Sequence, residues 1–301
     1  MSAVLRGGNC GGSMFKGLYV AMVTPFRAGK VDFEALVKLT GNLVDAGCDG
    51  LVPAGCTGEA ATLSADERRE VTRTVIEAAA RRCKVVPGTG TNNTADSIKY
   101  SRMAEELGAD GVMLITPYYN KPGPEGQYRH FKSVADAVGI PVVLYNVPGR
   151  TGVNVLPETV WRLAEVKNIR AIKEASGSLD QVSAILSRCG ITVLSGDDSL
   201  TLPMLALGAK GVISVAGNVA PLQVRQMLDK FAGGDLEGAR QVHYGLLPLF
   251  KALFAETNPA PVKKACELLG ICSGELRLPM VPVTQETEAL LKGALGKLGS
   301  L

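Results

Sequence analysis

The chain has 301 residues, enough for one large α/β domain or two small ones with an ample core. Its formal charge of +3 comes from interspersed acidic and basic residues with no basic run interleaved with aromatics, which argues against nucleic acid as a partner. Seven scattered cysteines (Cys10, Cys48, Cys56, Cys83, Cys189, Cys266, Cys272) show neither a CxxC pair nor a disulfide-framework spacing, so a reducing cytoplasm is expected rather than secretion.

Met1 to Ser13 carries Gly-Gly twice and no apolar run, so a flexible leader is expected at residues 1–13, neither signal peptide nor membrane span. Leu18 to Pro25 predicts a first strand, and Asp32 caps a helix with Leu36, Val37, Leu43 and Val44 on one face, closed by Gly47. Gly50 to Ala54 predicts the next strand, which leaves through the turn Gly55-Cys56-Thr57-Gly58-Glu59. Ser64 with Glu67 makes a capping box for a helix that turns Val71, Val75, Ala78 and Ala79 inward. Strands follow at Val85 to Pro87, Val112 to Thr116, Val142 to Asn146, around Lys173, at Thr192 to Ser195 and at Val212 to Val215. Helices starting near Thr94, Glu125, Pro157, Gln181 and Leu200 separate them, the spacing of βαβ units.

The segments Ala46-Gly47-Cys48-Asp49-Gly50, Leu107-Gly108-Ala109-Asp110-Gly111 and Leu207-Gly208-Ala209-Lys210-Gly211 repeat one helix-to-strand turn. Such recurrence predicts an α/β fold of the symmetric (β/α)8 TIM-barrel type over residues 14–233. A doubly wound open sheet is the alternative, but Thr24-Pro25-Phe26 is no Gly-rich dinucleotide loop. After Gly234, helical spacing of Val242, Leu246, Leu249, Phe250 and Leu253, a helix opened by Asn258-Pro259, and a last one carrying Leu290, Leu291, Leu295 and Leu298 predict a C-terminal helical appendage over residues 234–301.

Ile169 to Ser176 places Lys173 inside a short buried strand. Desolvation lowers a lysine's pKa and leaves free amine, which attacks a ketone to form a Schiff base. The plainer reading is a lysine that snorkels to solvent or pairs with Glu174. Barrel active sites lie at the C-terminal strand ends. There this chain gathers Gly55 to Glu59, Thr116 to Asn120, Tyr145 to Gly152, Lys173 and Ser195 to Asp198, which favours the nucleophile. A metal-dependent reaction would require His or carboxylate clusters at those ends. The chain has only His130 and His243, both in helical segments and expected at surface or capping positions, and Asp197-Asp198 alone would have to hold magnesium.

Together the motifs resemble the pyruvate-dependent class I aldolases, the dihydrodipicolinate synthase and N-acetylneuraminate lyase family, from about Met14 to the C-terminus. Tyr145 to Gly152, Thr116 to Asn120, Gly211 to Val215 and Asn258 to Lys263 are similar to the synthase branch. That resemblance implies condensation of pyruvate, held as a Schiff base on Lys173, with L-aspartate 4-semialdehyde in diaminopimelate and lysine biosynthesis. It implies a pyruvate carboxylate bound at Cys56 and Thr57, proton relay by Tyr145, and a bidentate grip of Arg150 on the second carboxylate. Gly196 and the carbonyl of Ile213 would complete the pocket, and Tyr119 would cross to a neighbouring subunit, so a homodimer or homotetramer is implied. No cofactor and no metal are implied. Read without the resemblance, the Gly-rich turn, Tyr145 and Arg150 are also compatible with a tight turn, a packing residue and an exposed loop.

The sequence departs from the family at two places. Its relay places a hydroxyl at position 56, where this chain has Cys56, a weaker donor. Around the family's lysine-binding site Asn92 and Tyr118 match and Asp96 is a shortened acid. Ala60, Ala65 and Arg68 replace a serine and two histidines, so inhibition by lysine is expected to be weak or absent. Two other readings stay open: a sugar-acid or neuraminate aldolase, which Arg150 disfavours, and a catalytically silent barrel, suggested by Cys56.

Overall fold

The computed structural model describes residues 14–299; the expected leader lies outside the described residues. Eight parallel strands alternate with helices: β1 (Gly17–Ala21), β2 (Gly50–Val52), β3 (Lys84–Val85), β4 (Val112–Ile115), β5 (Val142–Asn146), β6 (Ile169–Glu174), β7 (Thr192–Ser195) and β8 (Gly211–Ser214). They pair in the order β3-β2-β1-β8-β7-β6-β5-β4. A parallel bridge between Gly88 and Met113, with Met113 N donating to Pro87 O at 2.9 Å, joins β3 to β4 and closes the ring. The (β/α)8 barrel expected from the sequence is therefore present. The first strand ends at Ala21, short of Pro25, because the Asn218 side chain takes the Val23 N–H at 3.1 Å.

Alternation along each strand sorts the side chains. Leu18, Val20, Val142, Leu144 and Ile172 point outward into the helix layer, while Tyr19, Ala21, Val143, Tyr145 and Ala171 point into the barrel. Each fully buried aliphatic chain in this arrangement stabilises the fold by roughly 1.5–3 kcal/mol. The repeated helix-to-strand turn is built as expected: Gly47, Gly108 and Gly208 follow their helices with φ of 79°, 86° and 113°, a left-handed conformation that a side chain would strain.

The outer helices are α1 (Phe33–Asp45), α2 (Ala65–Ala79), α3 (Thr94–Glu106), α4 (Pro124–Asp136), α5 (Pro157–Ala164), α6 (Leu179–Leu186), α7 (Thr201–Leu207) and α8 (Pro221–Ala232). The Ser64–Glu67 capping box forms at the start of α2. Inward faces differ in detail from the expected ones. Val37 is exposed, its place taken by Leu39 one turn before Leu43, and Ala78 is half-buried. Both histidines are buried instead of lying at the surface. His130 bonds through Nδ1 to Thr94 Oγ1 at 2.9 Å, and burial pulls its pKa down to about 4.

Three further helices, α9 (Leu236–Leu253), α10 (Ala260–Leu268) and α11 (Gln285–Lys297), follow the last strand. Leu246, Leu249, Phe250, Leu253, Val262, Leu291 and Leu295 join the same apolar cluster as Leu18, Leu36 and Val212. Leu290 is exposed and Leu298 half-buried, so the last helix presents a narrower stripe than its leucines suggest. Among the described residues no helix is long and apolar enough to cross a membrane.

A buried ion pair fastens these helices to the barrel mouth. Lys263 of α10 donates to Glu59 Oε1 at 2.6 Å and to the carbonyl of Glu275 at 2.6 Å, and Arg277 N donates to Glu59 Oε2 at 3.1 Å. Neither side chain of the pair is more than 2% exposed. The Phe26 ring, held in a short hairpin of Phe26–Arg27 with Lys30–Val31, has Lys263 Nζ at 4.0 Å and the Arg277 guanidinium at 4.4 Å from its centre. Removing one partner of such a pair leaves a buried charge uncompensated, a cost of about 3–5 kcal/mol. Lys263→Met is accordingly expected to lower the unfolding free energy by about 3–5 kcal/mol in urea titrations; a loss below about 1 kcal/mol, the range of exposed pairs, would show the pair to be dispensable.

Candidate active site at the strand ends

Lys173 sits on β6 two residues past Ala171, so its side chain enters the barrel interior. Its strand neighbours in register are Tyr145 on β5 and Leu194 on β7. The ammonium nitrogen stands 4.2 Å from the centre of the Tyr145 ring. Glu174 faces the other way. Its carboxylate takes Ser176 N at 2.7 Å, Asn146 Nδ2 at 3.1 Å and Gln181 Nε2 at 3.2 Å, so it is no partner for Lys173. Nor does Lys173 reach solvent, being 4% exposed.

Desolvation pulls the Lys173 pKa down to about 8, with Arg150 adding to the fall and Cys56, Asp197 and Asp198 opposing it. Around pH 8 the free-amine fraction is then about half, on the order of a hundredfold above that of an exposed lysine. The same burial pushes the Tyr145 phenol well above its ordinary value, with Cys56 adding to the rise both by charge and as a side-chain hydrogen-bond partner. Gly196 leaves room for the amine: a methyl group there would lie 3.1 Å from Lys173 Cε and 2.6 Å from Ala175 Cβ.

The turn after β2 folds tightly, with Glu59 N donating to Cys56 O at 3.1 Å and Ala60 N to Gly55 O at 3.2 Å. The N–H groups of Cys56 and Thr57 have no acceptor among the described residues. Such a pair of free N–H groups is a concavity suited to an anion. A cavity of about 290 Å³ lies beside this turn, lined by Cys56, Tyr145, Arg150, Arg68, Tyr118 and Asn258 among others. Arg150 lies in a single helical turn (Pro148–Thr151) and donates to the carbonyl of Asn258 at 3.0 Å.

Not all the expected residues meet there. Cys56, Tyr145, Arg150 and Tyr118 line the cavity, whereas Lys173, against the Tyr145 ring, and Thr57, buried within the turn, do not. Ile213 is inside the barrel opposite Tyr19. Tyr119, 88% exposed with φ of 71°, does not line the cavity. Asn92 and Asp96 also lie off it, Asn92 accepting from Asn120 at 2.8 Å and Asp96 exposed on the first turn of α3. The idea that Asp197-Asp198 holds magnesium does not fit Asp198, whose carboxylate takes the Ser214 hydroxyl and the N–H groups of Val215 and Ala216.

Sequence reasoning marks Asn258 to Lys263 as a motif but assigns it no chemistry. The structure brings Asn258 to the centre of the site, where Nδ2 donates to Thr57 Oγ1 at 3.0 Å while its carbonyl holds Arg150. Arg68 is buried, donating to Ala60 O at 2.7 Å and Gly88 O at 3.3 Å with Tyr100 against its guanidinium at 4.5 Å.

Comparison with known proteins agrees with this geometry. Residues 14–298 match the model of the dihydrodipicolinate synthetase family. A 4-hydroxy-tetrahydrodipicolinate synthase of Geobacter metallireducens is 57% identical over 272 residues, covering 90% of this chain and 94% of its own. The crystal structure of dihydrodipicolinate synthase from Aquifex aeolicus superposes with a TM-score of 0.93 at 48% identity, covering 95% of this chain and 98% of that one. A chloride-inhibited dihydrodipicolinate synthase from Acinetobacter baumannii, complexed with pyruvate, has a TM-score of 0.93 at 39% identity over 95% of this chain and 99% of that one. With a buried strand lysine beside a tyrosine, a free N–H pair and an arginine at one barrel mouth, the chain belongs to the dihydrodipicolinate synthetase family.

Proposed function

We propose that the chain catalyses the 4-hydroxy-tetrahydrodipicolinate synthase reaction, condensing pyruvate with L-aspartate 4-semialdehyde in diaminopimelate and lysine biosynthesis. The observation that carries this reading is an amine at the barrel centre that is desolvated, in no ion pair among the described residues and poised at a pKa of about 8. The unprotonated Lys173 attacks the pyruvate ketone, and loss of one water gives an iminium. The iminium carbon then draws electrons as a proton leaves the methyl group, and the resulting enamine attacks the aldehyde carbon of the second substrate. The Cys56 and Thr57 N–H groups hold the pyruvate carboxylate. Tyr145, kept protonated by burial, supplies and retrieves the protons of the dehydration, with Cys56 as its partner.

Arg150 takes the carboxylate of the semialdehyde at the open side of the cavity, which a sugar aldehyde would leave unused. Gly196 and the Ile213 carbonyl border the pyruvate. An exposed Tyr119 held out from the surface fits a homodimer or a homotetramer in which it reaches the neighbouring relay. The free thiols suit the cytoplasm.

Borohydride should trap pyruvate on Lys173, and Lys173→Ala should lose the adduct together with turnover by on the order of a thousandfold or more. The rate of adduct formation should rise with pH through about 8 and then level off, because only the neutral amine reacts; a rise continuing past pH 10 would mean an ordinary exposed lysine. Cys56→Thr should raise kcat in the reductase-coupled assay, since a hydroxyl relays protons better than a thiol, and an unchanged or lower rate would remove Cys56 from the relay. L-lysine at millimolar concentration should leave the rate unchanged, because the buried Arg68 cation borders the cavity next to Tyr118; half-inhibition at micromolar lysine would refute that reading of Arg68, Asn92 and Asp96.

A further inference from the structure

The C-terminal end of α10 brings two cysteines together. Gly270 adopts a left-handed φ of 66° just past the helix, Gly270 N donates to Glu267 O at 3.0 Å, and Ile271 N donates back to Cys266 O at 2.9 Å. This pair of bonds reverses the chain onto the last turn of the helix. Cys272, the next residue, packs against the apolar cluster that holds Cys266, and the two thiols are hydrogen-bonded to each other. The proposed reaction uses neither of them.

The two members differ in a way that divides their chemistry. Cys266 is fully buried and Cys272 half-buried. The hydrogen bond from Cys266 holds the Cys272 thiol below its ordinary value against its own desolvation, and the Lys263 ammonium acts in the same direction. The same bond, together with full burial, pushes the Cys266 thiol well up. The thiolate is the form that a peroxide oxidises, so oxidation starts at Cys272, the member nearer to solvent, with a second sulfur already in contact. Cys48 and Cys83 contrast with this pair: both are buried, and burial pushes their thiols up to about 12 and about 11.

We propose that Cys266 and Cys272 are a redox site that closes to a reversible disulfide when the protein meets a peroxide. The Cys272 thiolate attacks a peroxide oxygen, and the O–O bond breaks to give a sulfenic acid and hydroxide. The Cys266 sulfur then displaces the sulfenic oxygen, which leaves as water with the Cys266 proton as the S–S bond forms. Two thiols lose their hydrogens and one hydrogen peroxide becomes two waters. The bond lies beside the buried clamp of the barrel mouth. A few residues past Cys272, the Glu275 carbonyl takes Lys263 and Arg277 N donates to Glu59. A disulfide ties this segment to α10 and stops oxidation short of a sulfinic acid, which would set an irreversible negative charge beside Lys263.

Trypsin releases both cysteines in one peptide, Ala265 to Arg277, because it cuts after Lys264 and Arg277. Fully reduced protein is treated with hydrogen peroxide, the remaining thiols are blocked with iodoacetamide in denaturant, and the peptide is weighed. In wild type, alkylation should be lost at both cysteines together, leaving a peptide lighter than the reduced one by two hydrogens, and dithiothreitol should restore both thiols. Cys266→Ala should accumulate at Cys272 a sulfenic acid that dimedone traps, and then a sulfinic acid. Cys272→Ala should leave Cys266 fully alkylated. If either variant does not fold, the wild-type peptide decides alone. Three wild-type results would overturn the proposal: a sulfinic acid at Cys272 beside an alkylated Cys266, a bridge from either residue to a different cysteine, or both residues still alkylated at a peroxide dose that oxidises free glutathione in the same solution.

Discussion

Everything at this barrel mouth depends on removing one lysine from water without giving it a counter-ion. Desolvation acts oppositely on the two neighbours that share the barrel interior. It lowers the pKa of the Lys173 amine to about 8 and raises that of the Tyr145 phenol. One physical cause therefore leaves the nucleophile partly unprotonated and the acid protonated over the same pH range. The division of roles between two titratable groups by environment is the usual mark of acid–base chemistry, and here both members sit in register on adjacent strands.

Of the carboxylates near Lys173, Asp197 acts on the amine through space, and two others are occupied elsewhere. Glu174 is turned outward by the strand alternation and spends its oxygens on Ser176, Asn146 and Gln181. Asp198 spends its own on Ser214 and two backbone N–H groups. Both act on the amine at most through space, and burial raises the pKa of each. Had either reached Nζ, an ion pair would have stabilised the protonated amine and removed the nucleophile. The polar residues around β6 and β7 are thus arranged as much to leave Lys173 alone as to support it.

How far this could be read from sequence follows from the range of each interaction. Lys173 and Tyr145 were legible because strand alternation is local: Ala171 and Val143, two residues back, already declare the inward face. The repeated Gly turns gave the barrel for the same reason. Helix faces were legible to within a turn, and Val37 was misassigned because Leu36, Leu39 and Leu43 already complete the buried stripe. The burial of His130 was not legible, since it depends on Thr94 from the neighbouring helix. Least legible were Glu59 with Lys263 and Thr57 with Asn258, whose partners are separated by 204 and 201 residues. No periodicity connects such positions; only the closed fold does.

Those long-range pairs change the meaning of the C-terminal helices. An appendage that merely covered apolar surface would be replaceable by any apolar cover. Here the link between α9 and α10 carries Asn258, which ties the turn after β2 to Arg150 by two hydrogen bonds. Four residues past Pro259, Lys263 grips Glu59, which holds a left-handed φ of 53° immediately after the turn that bears Cys56 and Thr57. A non-glycine residue in that conformation persists only when its surroundings hold it there. The ion pair supplies that hold, and a buried ion pair is retained more readily for the geometry it specifies than for the stability it adds. The residues that dock the last helices are thus the same residues that shape the mouth of the barrel, so the fold's closure and the site's geometry rest on one set of contacts.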